Sequence, residues 1–187
     1  MNEELQMIYD MADDAMNQSL DHLTRELTKI RAGKATPSMV DGVTVEYYGS
    51  QSPLNQVSNV NTPDARTISI QPWDKAMLEE IERAIINANL GLTPMNNGEM
   101  IIISVPALTE ERRMDLVKQA KAEGEHAKVS IRNARKDAND EIKALEKDGL
   151  SEDLAKDAEA NIQKKTDTYN HKVDELINAK EKDILTV

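Results

Sequence analysis

Basic side chains are concentrated in one stretch of an otherwise acidic chain. Residues 112–136 hold eight lysines and arginines against three acidic residues, a local charge of +5, whereas the remainder of the chain carries −16, for a total of −11. Four of these basic residues fall within an arc of roughly 60° on a helical wheel. They are Lys121, Lys128, Arg132 and Arg135. The pattern predicts either a phosphate-binding face, for which arginine is well suited, or a solvated face that pairs with acidic residues of neighbouring helices.

The other residues that could perform chemistry do not form a recognisable site. His22, His126 and His171 are far apart, and none belongs to a pair spaced by four residues, the spacing that binds a metal on one helix face. The phosphate-loop motif GxxxxGK[ST] is absent. The numerous carboxylates lie on amphipathic stretches, where they are usually solvated. The sequence therefore supports no enzyme class, metal site or cofactor.

Amino-acid composition indicates the cellular compartment and the type of hydrophobic core. The 187 residues include no cysteine and no phenylalanine, and only 3% are aromatic. The lack of cysteine fits a reducing cytoplasm, and the aliphatic composition favours packed helices. The longest apolar run, Met100–Val105, is too short to span a membrane. The acidic first residues lack the apolar core of a secretion signal, so we expect a cytoplasmic protein.

Two helical zones flank a zone rich in strand signals. Residues 1–31 and 107–187 carry apolar side chains at steps of three and four, and Gly149 followed by Ser151 divides the second zone into two helices. These patterns predict a long three-helix bundle. Residues 32–106 contain all six prolines and short β-type runs around one helix that begins near Asp74, which predicts an inserted β/α/β domain. The expected fold class is therefore α+β.

Two short segments join the predicted bundle to the inserted domain. They are residues 31–37, with Gly33 and Pro37, and residues 105–108, with Pro106. Two covalent connections of a few residues form either a hinge or a rigid join, and the sequence favours neither.

Six ordered motifs resemble those of the bacterial-type ribosome recycling factor family. They are IRAGKATP (30–37), GVTVEYYG (42–49), LNQVSN (54–59), ANLGLTP (88–94), PALTEERR (106–113) and SIRNARKDAND (130–140). The resemblance implies an L-shaped molecule with two arms joined by a two-strand hinge. It also implies a translation factor that binds the post-termination ribosome and, with elongation factor G and GTP, splits it into subunits without being a GTPase itself. The implied partners of this monomer are the large ribosomal subunit with its rRNA and elongation factor G.

The resemblance assigns roles to individual residues. The family's basic helix motif falls on Arg132, Arg135 and Lys136, which implies rRNA contacts there, and Lys128 and Lys121 extend the same stripe. The family often has an arginine at the position of Lys136. Lysine keeps the charge but lacks the planar fork of a guanidinium group.

The connecting segments carry the second set of implied sites. Arg31, Gly33 and Lys34 match the family pattern at the hinge and elongation-factor side. Ordinary favourable charge at a helix C-terminus explains Arg31 and Lys34 equally. Pro106 either stiffens the return segment or simply precedes the next helix.

Three aromatic residues of the inserted domain complete the expectations. Trp73 could bind a partner, but a lone tryptophan before a helix more often packs in the core, so we expect it to pack against the domain core. We expect adjacent Tyr47 and Tyr48 to face opposite sides of a strand. An acidic helical scaffold that binds only protein is the competing hypothesis for the whole chain. It accounts for the long helices and the net charge, but not for the basic stripe or the inserted domain.

Overall fold

The chain forms two compact units in the computed structural model, which describes residues 3–186. One unit contains the residues up to Ala32 together with those from Glu110 onward, and the other is Gly33–Thr109. The helices are α1 (Glu3–Lys29), α2 (Leu54–Val57), α3 (Leu78–Asn87), α4 (Glu110–Lys147) and α5 (Glu152–Leu185). The strands are β1 (Thr44–Tyr47), β2 (Ser50–Pro53), β3 (Ser58–Asp64), β4 (Thr67–Pro72), β5 (Pro94–Asn96) and β6 (Ile101–Ser104). The predicted α+β class is confirmed.

The first unit is a bundle of the three long helices α1, α4 and α5. Each helix buries one apolar stripe, and the stripe of α4 is rich in alanine. Its buried positions are Leu116, Val117, Ala120, Gly124, Ala127, Ile131, Ala134, Ala138 and Ile142. Small side chains let helix axes approach closely, so the bundle is held by aliphatic contacts over the length of the helices.

A polar contact fixes α1 against α5. The ammonium group of Lys165 lies 2.6 Å from a carboxylate oxygen of Asp13, and the Tyr169 hydroxyl donates to the Asp13 carbonyl oxygen at 3.5 Å. Burial, followed by the charge of Asp13, raises the pKa of the Tyr169 phenol. Leu5 and Ile8, which precede Asp13 in α1, pack in one core cluster with Ala155 and other residues that precede Lys165 in α5. The two helices are therefore parallel.

The turn between α4 and α5 uses the residues that the sequence indicated. Gly149 has φ +116°, a backbone conformation that favours glycine. The Leu150 amide donates to the Leu145 carbonyl at 2.9 Å, which satisfies the end of α4. Ser151 then accepts a hydrogen bond from the Leu154 amide at 3.4 Å and caps α5.

The second unit packs α3 against an antiparallel sheet with strand order β3-β4-β6-β5, beside a separate β1–β2 hairpin. Alternate residues of β4 are buried, including Ile68 and Ile70, and they share the core with Ile81 and Ile85 of α3. Asn97 begins the turn that joins β5 to β6, and its side chain accepts from the Glu99 and Met100 amides.

Several local predictions in this unit differ from the structure. Leu54–Val57 forms a helical turn inside the zone of strand signals, so β3 begins only at Ser58. Asp74 caps a 3-10 turn at Lys75–Met77 and not α3 itself, which starts at Leu78. Strands β2 and β5 were not predicted, since they contain polar residues and proline.

Gly124 of α4 lies directly against Ile177 of α5, and this contact gives a prediction about stability. A Cβ atom at this position would lie 2.7 Å from Ile177 Cγ1. Alone, Gly124→Ala should lower the free energy of unfolding, because overpacking costs about 1–3 kcal/mol and exceeds the gain in helix propensity. In the Ile177→Ala background the same change should stabilise by about 1 kcal/mol, since only the propensity gain remains. Urea unfolding followed by circular dichroism measures both; stabilisation in both backgrounds would contradict the close approach.

Candidate nucleic-acid interface

Five predicted rRNA-binding residues lie along one side of α4 and define what we call the basic face. They are Lys121, Lys128, Arg132, Arg135 and Lys136. Lys121, Arg132 and Lys136 are exposed, whereas Lys128 and Arg135 are half-buried. The buried stripe of α4 at Gly124, Ala127, Ile131 and Ala134 places this face away from the core.

Two lysines of the basic face form ion pairs with α5. Lys121 Nζ lies 3.5 Å from a carboxylate oxygen of Glu181, and Lys128 Nζ lies 2.7 Å from one of Asp174. Ion pairs near the surface contribute about 0–1 kcal/mol, because water solvates both charges well. A phosphate group can therefore compete for these lysines, although the carboxylates reduce their positive potential.

Arg135 is oriented by an uncharged side chain of α5. Its Nη1 atom donates to Gln163 Oε1 at 3.1 Å, and Gln163 Nε2 donates to Asp167 Oδ1 at 2.8 Å. A guanidinium group has five N–H donors, so one hydrogen bond fixes the side chain and leaves donors for a ligand.

Arg132 and Lys136 differ from the other three members of the face. Within residues 3–186 neither side chain forms an ion pair or a hydrogen bond, and both are exposed. Their charge is not compensated by a contacting carboxylate. The Arg132 side chain is therefore more accessible than that of Arg135, which is half-buried and donates to Gln163.

Sequence reasoning missed the α5 residues that contact the face, although the sequence contains a signal for them. Lys121, Lys128 and Arg135 are spaced by seven residues, and so are Asp167, Asp174 and Glu181. Lys121 pairs with Glu181 and Lys128 with Asp174, in reverse order along the two helices, and Arg135 is linked to Asp167 through Gln163. Seven-residue spacing of opposite charges is typical of adjacent helices that pack side by side.

The connecting segments of the inserted unit converge on the turn between β3 and β4. The Ala35 amide donates to the Ala65 carbonyl at 2.8 Å, and the Val105 amide donates to the Arg66 carbonyl at 2.7 Å. Backbone hydrogen bonds thus attach both connections to the same turn.

The predicted hinge residues occupy different environments. Arg31 is exposed just beyond α1, Lys34 is half-buried and Pro106 is exposed. Gly33 has φ +72°, and a Cβ atom there would lie 2.5 Å from Leu108 Cγ. Glycine at this position is therefore required both by backbone conformation and by the space that Leu108 occupies.

The prediction that Trp73 packs in the core is wrong, since its side chain is 71% exposed. Pro72, the preceding residue, is buried, and adjacent residues of an extended chain point to opposite sides. The tyrosine prediction is confirmed for burial, since Tyr47 packs against the core and Tyr48 is exposed. It is wrong for the strand, because Tyr48 lies in the turn after β1 with φ +47°, and the two ring centroids are only 4.5 Å apart. A hydrogen bond from the Tyr48 hydroxyl to Asp74, at 3.2 Å, raises the pKa of the Tyr48 phenol.

The histidines lie apart, and all three are exposed. His126 and His171 each contact a glutamate of their own helix, at 3.6 Å and 3.3 Å. In the part of the chain that the structure describes, no group of three acidic or histidine side chains is placed to hold a metal ion. No helix among those residues is long and apolar enough to cross a membrane.

Comparisons with known proteins agree on one family. The model of the family described as ribosome recycling factor matches residues 23–185. A ribosome-recycling factor of Flavobacterium johnsoniae is 58% identical over 187 residues, which covers all of both chains. One of Porphyromonas gingivalis is 50% identical over 185 residues, covering 98% of this chain and 100% of the relative.

Solved structures give the same result. A solution structure of the ribosome recycling factor aligns over 100% of both chains with a TM-score of 0.71 and 37% identity. The T. thermophilus factor, described with E. coli elongation factor G on the E. coli post-termination complex, aligns over 97% of this chain and 99% of that chain with a TM-score of 0.59 and 44% identity. The chain belongs to the ribosome recycling factor family, and the family indicated by the six sequence motifs is confirmed.

The ion pair between Lys128 and Asp174 gives a prediction about the basic face. Asp174→Asn should release the lysine and tighten binding of a short fluorescent single-stranded RNA about two- to three-fold at low salt. Glu175→Gln is the matched control, because it removes one charge from the next residue of α5, which pairs with His171 and not with the basic face. Fluorescence anisotropy gives both dissociation constants. Equal tightening by the two variants would mean that net charge alone sets the affinity.

Proposed function

We propose that this protein binds the post-termination ribosome and, together with elongation factor G and GTP, splits it into subunits. The observation that carries the proposal is full-length similarity to ribosome-recycling factors, at 58% identity for one of them. The T. thermophilus relative described on a post-termination complex with elongation factor G supports the same assembly for this chain. The protein acts in the cytoplasm as a monomer and hydrolyses no GTP itself.

The basic face is the part of the bundle that binds large-subunit rRNA. Arg132 and Lys136 supply charge that no contacting carboxylate neutralises, and Arg135 supplies donors in a fixed orientation. Lys121 and Lys128 exchange their α5 carboxylates for phosphate when the face docks. Because the rest of the chain is strongly acidic, phosphate is repelled elsewhere, and one orientation on RNA is favoured.

The inserted unit and its two connections transmit the action of elongation factor G. Arg31, Lys34 and Pro106 lie on the elongation-factor side, and Gly33 permits the backbone path that the first connection requires. This unit carries fewer basic than acidic residues, which favours a protein partner over RNA for its surface.

A subunit-splitting assay tests this function directly. We expect light scattering from post-termination ribosomes to fall only when this protein, elongation factor G and GTP are all present. Arg132→Ala should weaken co-sedimentation with large subunits by about ten-fold and reduce the slope of log K against log salt by about one, as expected for a lost phosphate contact.

Lys156→Ala is the matched control for that variant. Lys156 is an exposed lysine of α5 that pairs with Glu152 of the same helix. It should bind and split as the parent protein does. An inactive parent protein in the complete assay would refute the function, whereas an active parent with equal losses in both variants would refute only the role of the face.

The connection at Gly33 gives a separate prediction. Gly33→Ala introduces a Cβ atom close to Leu108 and disfavours the left-handed backbone. We expect it to slow subunit splitting several-fold more than it weakens ribosome binding, if the connections form a hinge. Gly42→Ala is the control, since nothing lies within 4 Å of its Cβ position. Equal losses of splitting and binding in Gly33→Ala would indicate a rigid join.

A further inference from the structure

The bundle has a second distinctive surface, and its charge is opposite to that of the basic face. Residues 3–24 contain six acidic residues and no lysine or arginine. One of the six, Asp13, is paired with Lys165 of α5. Asp10 and Asp14 are exposed on α1. This part of α1 therefore repels phosphate and attracts cations.

A groove of about 140 Å³ lies between this acidic part of α1 and α4. Its floor consists of aliphatic side chains, including Ile8, Ala12 and Ala138. Its rim is formed by exposed side chains: Met11 from α1, and Asp137 and Glu141 from α4. The groove thus combines an apolar floor with carboxylates on the α4 side.

Two exposed methionines extend the apolar surface along α1. Met7 and Met11 are 63% and 61% exposed and, being four residues apart, lie side by side on the helix. Asp10 and Asp14 follow each of them by three residues and so flank the same strip. Methionine is flexible and polarisable, which suits a surface that accepts apolar side chains from a partner.

We propose that this groove, which we call the acidic groove, docks a cationic amphipathic segment of a protein of the large ribosomal subunit. Apolar side chains of the segment enter between α1 and α4, and its lysines or arginines meet Asp137, Glu141, Asp10 and Asp14. The inference rests on the proposed function, because a bundle whose basic face lies on rRNA presents its acidic surface to whatever else the ribosome offers nearby. Phosphate is repelled there, so the complementary occupant is a basic protein.

Other occupants fit the acidic groove less well. A second copy related by two-fold symmetry would bring two acidic surfaces together, which electrostatic repulsion opposes. Among the described residues no cluster of carboxylates is arranged to hold a metal ion. A cationic amphipathic segment is the occupant that matches both the apolar floor and the charge of the rim.

The proposal is tested by whether removing negative charge from the rim weakens or tightens binding to large subunits. Neutralising the rim with Asp137→Asn and Glu141→Gln should weaken binding to purified large subunits about five-fold, because salt bridges to a cationic segment are lost. Asp153→Asn with Asp157→Asn is the matched control, since both residues are exposed and have the same four-residue spacing on α5. The control should bind as tightly as the parent protein or slightly more tightly. Tighter or unchanged binding of the groove variant would overturn the proposal.

Photo-crosslinking identifies the occupant. Benzoylphenylalanine replaces Met11 in one variant and Leu154, an exposed residue of α5, in the other, and both are irradiated on large subunits after co-sedimentation. We expect position 11 alone to crosslink to a ribosomal protein. Crosslinks from position 11 to rRNA or to a second copy, or none at all, would overturn the inference. Failure of the unsubstituted protein to co-sediment would instead refute the proposed function.

Discussion

The close packing of α4 against α5 determines which way the basic residues of α4 point. Gly124 leaves no room for a side chain next to Ile177, and this contact sets the seam between the two helices. Once this seam is fixed, residues seven apart on α4 meet residues seven apart on α5. The register of two helices thus decides which cations acquire a carboxylate neighbour and which remain available for a ligand.

That register separates the basic face into two kinds of residue. Lys121, Lys128 and Arg135 contact α5 and support the helix pair as well as the charge of the face. Arg132 and Lys136 lie further around α4, beyond the reach of these contacts. The structure shows the pairing interpretation of the basic stripe for Lys121 and Lys128, which contact carboxylates of α5. Phosphate binding stays a prediction, and Arg132 and Lys136 are the residues of the face whose exposure suits it.

The parts of the fold that the sequence predicted are those governed by local rules. The bundle helices follow from apolar periodicity, and Gly149 and Ser151 end and begin helices through their own backbone and side chain. Strands β2 and β5 are short and polar, so no local sequence pattern predicts them. They are stabilised by pairing with a neighbouring strand. The exposure of Trp73 depends on which side of β4 faces the core, a non-local property. The ion pairs between α4 and α5 likewise depend on the register of the two helices, which is also a non-local property.

The net charge of −11 is a poor guide to binding because charges act over short distances in salt. The Debye length is about 8 Å at physiological ionic strength, and neighbouring helices in a bundle lie about 8–10 Å apart. Carboxylates on α1 are therefore largely screened from Arg132, whereas Asp174 acts on Lys128 at 2.7 Å. Contacting pairs and not the total charge set the potential of each surface. An acidic groove and a basic face can coexist on one bundle for the same reason.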